Sequence, residues 1–167
     1  MKIKLHDTAM LGLLTAVALV LSYIEHLIPL STAVPGIKLG LSNTVVLYAL
    51  FLAGKKQAVL LVLLKVFISG FAFSGVSAML YSFCGGILSI LCMLFFKRFK
   101  GVSVIGVSVV GAAAHNIGQC LVALGFIAHR AILLYLPFLL VSAVITGVLT
   151  GITAEYIFKH LSRRNNQ

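Results

Sequence analysis

Long apolar stretches separated by short polar gaps run the length of the chain, at residues 8–28, 40–53, 57–73, 77–96, 102–127 and 131–158. A helix needs about 20 mostly apolar residues to cross roughly 30 Å of hydrocarbon. The pattern therefore predicts an all-α, polytopic membrane protein whose single domain, residues 1–167, is a six-helix transmembrane bundle. The second stretch is short for a crossing, so a re-entrant or partly unwound segment is the alternative there.

The gaps carry the charge, and they carry it unevenly. Lys2, Lys4, Lys55, Lys56, Lys97, Arg98, Lys100, Lys159, Arg163 and Arg164 fall at every second boundary, whereas the intervening boundaries hold only Lys38 and Arg130. Basic loops stay cytoplasmic, so an even number of crossings with both termini in the cytoplasm is expected, and the cell membrane is the expected location. Demoting the second stretch would reverse every later loop and spoil the asymmetry. The first apolar stretch lacks a small-residue cleavage site followed by a polar region, so it is expected to be retained.

Composition supports this reading and narrows it. At 61% hydrophobic and 10% charged residues, a soluble chain could not cover its surface. The net charge of +10 flanks apolar runs and does not line a soluble face, so nucleic acid is not an expected partner. Cys84, Cys92 and Cys120 lie in apolar stretches without metal-ligand spacing and read as small buried hydrophobes. No metal, cofactor or catalytic residue is expected, and no phosphate-binding G-x-x-x-x-G-K-[ST] loop is present. Any ATP hydrolysis must come from another polypeptide.

Several polar and small residues stand out against this background. Thr8, Ala9, Gly12 and Ala16 form a small-residue stripe on the first span, and Ala143, Gly147 and Gly151 form another on the last. Such stripes let a second backbone approach closely, either inside the bundle or on a partner. Residues 29–43, P-L-S-T-A-V-P-G-I-K-L-G-L-S-N, resist continuous helix yet are too apolar for an ordinary loop. They read as a lid over an outward cavity, with Lys38 as its cation and Ser42 or Asn43 capping the next helix, or as a loop resting among headgroups. Glu25 and His26 end the first span, where the acid must be solvated or paired. Lys65, inside the third span, pairs structurally or faces an anionic ligand. In the fifth span His115, Asn116 and Gln119 cluster beside Gly111 and three alanines, forming either a hydrogen-bonding wall or interhelical ties. His129 and Arg130 add a basic point on the sparsely charged side.

At P-G-I-K-L-G-L-S-N and H-N-I-G-Q the chain resembles the family called Gx transporter, also known as heptaprenyl diphosphate synthase component I. It is similar more widely to the substrate-binding S components of energy-coupling factor (ECF) transporters. The resemblance implies a six-helix S component that captures a vitamin or cofactor precursor outside the cell. It implies a transmembrane coupling protein (the T component) and two cytoplasmic ATPases as partners, docked through Thr8, Ala9, Gly12 and Ala16. Gly12-x-x-x-Ala16 stands where the wider group has Ala-x-x-x-Ala. The candidate ligand residues are Lys38, Asn43, Lys65, His115, Asn116, Gln119 and Arg130, and the cations among them favour an anionic molecule. The alternative is a membrane enzyme using His115 or a membrane accessory subunit of isoprenoid diphosphate synthesis. That chemistry needs clustered carboxylates for Mg²⁺, and this chain has only Asp7, Glu25 and Glu155. A carrier working without ATP is a third possibility.

Overall fold

The computed structural model describes residues 5–27, 41–127 and 131–164. Among them, α-helices follow one another as α1 (Leu5–Leu27), α2 (Leu41–Tyr48), α3 (Lys55–Ser69), α4 (Val76–Phe96), α5 (Val104–Ile127) and α6 (Ala131–Arg164). Five helical stretches are long and apolar enough to cross a membrane: Asp7–Leu27, Lys55–Ser74, Val76–Phe96, Val104–Gly125 and Leu136–His160. Their exposed faces carry large apolar side chains such as Leu13, Phe71, Leu121 and Phe138, which suits lipid and not water. The architecture is that of a multi-pass membrane protein.

The helical stretch that contains α2, Leu41–Ala53, is shorter, and its burial explains what it does. Val46, Leu47, Ala49 and Leu50 are at most 1% exposed, because beyond its polar first turn, Ser42, Asn43 and Thr44, the helix is apolar all round and packs against α1, α3 and α6. An apolar helix without a polar face belongs in a protein core. The rest of that core comes from Ala18, Ala58, Leu61, Ile90, Val107 and Ala154.

Two helices end in the same way. The last turn after α2 widens to a π-helix at Ala49–Ala53, closed by the Gly54 N–H donating to the Ala49 carbonyl at 2.8 Å. After α3 the turn Gly70–Ser74 closes with the Gly75 N–H on the Gly70 carbonyl at 2.9 Å. Gly54 and Gly75 have φ of 111° and 84°, a region that only glycine enters cheaply. The next helix begins at the following residue, so one residue turns the chain through each corner. The α5 start uses a side chain instead: Ser103 Oγ accepts the Gly106 N–H at 3.1 Å, an N-cap bond.

Contacts between helix ends sort the bundle into two poles. Lys97 Nζ donates to the Leu50 carbonyl at 2.6 Å and lies 4.4 Å from the centre of the Phe51 ring. Phe158 meets the Phe51 ring at 5.7 Å, and Gly151 packs on Ile105. One pole therefore gathers Lys55, Lys97 and the end of α6, with its Lys159–Glu155 pair. Burial, then the nearby Lys55 charge, hold the Lys97 ammonium below the usual lysine range. At the other pole Phe73 packs edge-on against Tyr23 at 5.3 Å and beside His26 at 5.6 Å.

Two readings of the sequence need correction. Cys84 lies exposed on the outer face of the bundle and Cys92 is half-buried, so only Cys120 is a buried hydrophobe. The start of α2 is not capped by its own Ser42 or Asn43. Its cap comes from α1, because Glu25 Oε1 accepts the Leu41 N–H at 2.7 Å.

Candidate functional site

A cavity of about 140 Å³ lies within the bundle and reaches the ends of α1 and α3 at Glu25, His26, Phe73 and Ser74. Polar side chains from every α-helix contribute to its wall, which is unusual inside an apolar bundle.

The wall beside the α1 and α2 ends is a chain of hydrogen bonds that uses each group in its proper sense. Lys65 Nζ donates to Ser42 Oγ at 3.1 Å and to Asn43 Oδ1 at 3.2 Å. The Ser42 hydroxyl donates onward to Glu25 Oε2 at 3.3 Å, and Glu25 also holds the Leu41 N–H. A carboxylate at the start of α2 is favoured by the unbonded N–H groups and dipole there. Lys65 stands ten residues into α3, about 15 Å from its start, and points toward the α2 start and not toward the basic pole. Ser42 thereby couples the one ammonium and the one carboxylate among the described lining residues.

Deeper in, α5 supplies His115 and Asn116, α4 supplies Ser82, Gly86 and Ser89, and α6 supplies Thr146. Gly85 makes room for His115: a Cβ there would come to 2.8 Å from the His115 carbonyl oxygen and 3.1 Å from its ring. Asn116 is also committed structurally, with Nδ2 donating to the Leu139 carbonyl on α6 at 2.8 Å. Beneath the cavity a smaller void, about 10 Å³, is lined by Asn43, Ser89, Ser108, Thr146 and Thr150 among others.

Of the residues singled out from sequence, Asn43, Lys65, His115 and Asn116 therefore surround one space. Gln119 does not line it; its chain packs beside Gly85 on α4. Lys38 and Arg130, with the proposed lid from 29 to 40, lie outside the described residues. Ser22, Ser69, Ser82, Ser89 and Thr146 were not expected in the wall. Ser82 and Ser89, seven apart on one face of α4, carried a signal, but serine in a helix so often bonds its own backbone that the signal was weak.

The chain's carboxylates are split between the poles. Asp7 and Glu25 sit roughly 27 Å apart along α1, and Glu155 lies at the basic pole. Among the described residues no three His, Cys, Asp or Glu side chains converge as a metal site would require.

The family model described as heptaprenyl diphosphate synthase component I matches residues 14–157, and the chain belongs to that family. No curated protein and no solved structure matches it.

Proposed function

We propose that this family member is a membrane-embedded binding subunit, the S component of an ECF-type uptake system, with a small, anionic vitamin or cofactor precursor as ligand. The observation that carries the reading is a polar cavity with Lys65 in its wall, set at the pole opposite the basic loops. With basic loops in the cytoplasm, all six segments threading the bilayer and both termini inside, that cavity faces outward. The chain itself is not an enzyme in this reading. Energy comes from two ATPases acting through a transmembrane coupling protein, and the exposed stripe Thr8, Ala9, Gly12 and Ala16 on α1 is the surface offered to it.

The family's description favours a second reading, an accessory component of prenyl diphosphate synthesis. A cavity of about 140 Å³ is too small for a heptaprenyl chain, and the separated carboxylates leave the Mg²⁺ chemistry to a partner. Affinity purification of the full chain from its own membranes separates the two. Co-purifying ATPase subunits support uptake; a prenyltransferase without ATPases overturns it.

A further inference from the structure

The cavity wall changes character with depth. Its described formal charges, Glu25 and Lys65, belong to the Ser42-linked chain beside the α1 and α2 ends. The floor holds hydroxyls: Ser89 lies seven residues, about 10 Å of helix, closer to the basic pole than Ser82, and lines both the cavity and the void beneath, as does Thr146.

Ser89 is 4% exposed and Ser108 5%. Among the described residues every fully covered side-chain nitrogen or oxygen has a hydrogen-bond partner. The Ser89 hydroxyl has none among the described residues, so the little surface it keeps is the surface it shows to the cavity. Ser108 presents the same situation to the void, whose size is on the order of one water. A hydroxyl that keeps surface only toward a cavity takes its hydrogen-bond partner from whatever occupies that cavity. A ligand group that donates or accepts one hydrogen bond would satisfy it. The floor side chains Asn43, Ser89, Ser108, Thr146 and Thr150 carry no formal charge, and the Lys65 ammonium reaches this level only through its bond to Asn43. A charged group seated among them would lose its hydration.

We propose that the floor around Ser89 is a subsite for an uncharged hydrogen-bonding group, a hydroxyl, carbonyl or amide, and that the ligand's charge stays beside Lys65 in the Ser42-linked wall. The ligand class is then a compound with charge at one end only, whose enclosed part is on the order of one six-membered ring. This deepens the binding-subunit reading and rests on the cavity being its ligand site.

Thiol labelling with reagents of matched size tests the subsite. Ser89→Cys and Thr146→Cys report the floor, and Ser74→Cys reports the mouth, each in the full chain with its three native cysteines replaced by alanine. The probes are 2-hydroxyethyl, 2-aminoethyl and 2-carboxyethyl methanethiosulfonate, the last two charged at neutral pH. Rates are read by intact mass and divided by each reagent's rate with free 2-mercaptoethanol. The expected result is that all three label Ser74→Cys within about threefold of one another, while both floor positions favour the hydroxyethyl reagent by about tenfold or more, reflecting desolvation of charge. Equal rates for charged and neutral reagents at the floor overturn the proposal, and so does a floor that no reagent reaches while the mouth is labelled. These rates do not depend on transport partners. Charge-selective labelling with no ATPase in the pull-down sinks the uptake reading alone, and unselective labelling with ATPases present sinks the subsite alone.

Discussion

On α1, Thr8, Ala9, Gly12 and Ala16 all lie exposed, and a Cβ added to Gly12 would meet nothing within 4 Å. On α6, Ala143, Gly147 and Gly151 are buried, and a Cβ on either glycine would come to 2.7 Å from a Cα atom of α5, that of Val109 or Ile105. The two stripes have similar spacing and opposite fates. In hydrocarbon, helices gain little from hiding apolar surface, so close backbone approach is what small residues contribute. The α6 stripe has used that contribution inside the bundle, and the α1 stripe has not.

The sharpest way to break this contrast is to enlarge a glycine on the used stripe. Gly147→Leu sets a branched side chain against the α5 backbone, which cannot step aside as a side-chain tip would. The expected loss exceeds the roughly 1–3 kcal/mol typical of overpacking, and the variant should fail to give a monodisperse peak in size-exclusion chromatography. A wild-type melting temperature for this variant would mean that α5 and α6 do not meet along this seam.

A smaller effect is expected where the same helix pair is joined by one hydrogen bond. Asn116→Leu removes the Nδ2 contact to the Leu139 carbonyl, and interhelical bonds in membranes are worth about 0.6–2 kcal/mol. Thermal unfolding followed by intrinsic fluorescence should show a modest destabilisation with the fold retained. No change would indicate that the glycine seam alone holds α5 to α6.

At its C-terminal end α1 is held by Glu25 at the start of α2 and not by its small residues. Glu25→Gln keeps the shape and removes the charge that favours the α2 N-terminus, worth about 0.3–1 kcal/mol. Hydrogen exchange at the first amides of α2 should quicken while α5 and α6 are unaffected. Unchanged exchange at Leu41 would remove Glu25 from the capping role.

How much of this was legible beforehand follows the same physics. Apolar runs and basic gaps mark the long helices to within a few residues, because hydrocarbon thickness sets a length and the polar gaps set its limits. The π turns before Gly54 and Gly75 leave no such trace. The pocket was partly visible through Asn43, Lys65, His115 and Asn116, which are rare inside spans. Glu25 could be noticed but not assigned, since its partner is the Leu41 amide sixteen residues on, and a backbone amide has no residue type. Gln119 lies outside the described cavity wall, because four-residue spacing puts it on the His115 face without saying where that face ends. Ser89 was missed because its importance is a missing partner, which only packing reveals.

The smallest expected effect on stability is the one that decides what the α1 stripe is for. Gly12→Leu adds a side chain where nothing stands within 4 Å, and glycine inside a helix costs up to about 1 kcal/mol relative to better helix formers. The isolated subunit should therefore keep its stability to within about 0.5 kcal/mol or gain slightly, as surface substitutions do. If the stripe seats a coupling protein, the same change should abolish co-purification of the partner while leaving ligand retention, read by native mass spectrometry, intact. A variant that melts early would place Gly12 inside an unrecognised contact of the bundle and erase the contrast with α6. A variant that is stable and still recovers its partner would leave the α1 stripe as lipid-facing surface, and the docking assignment would have to move to another helix.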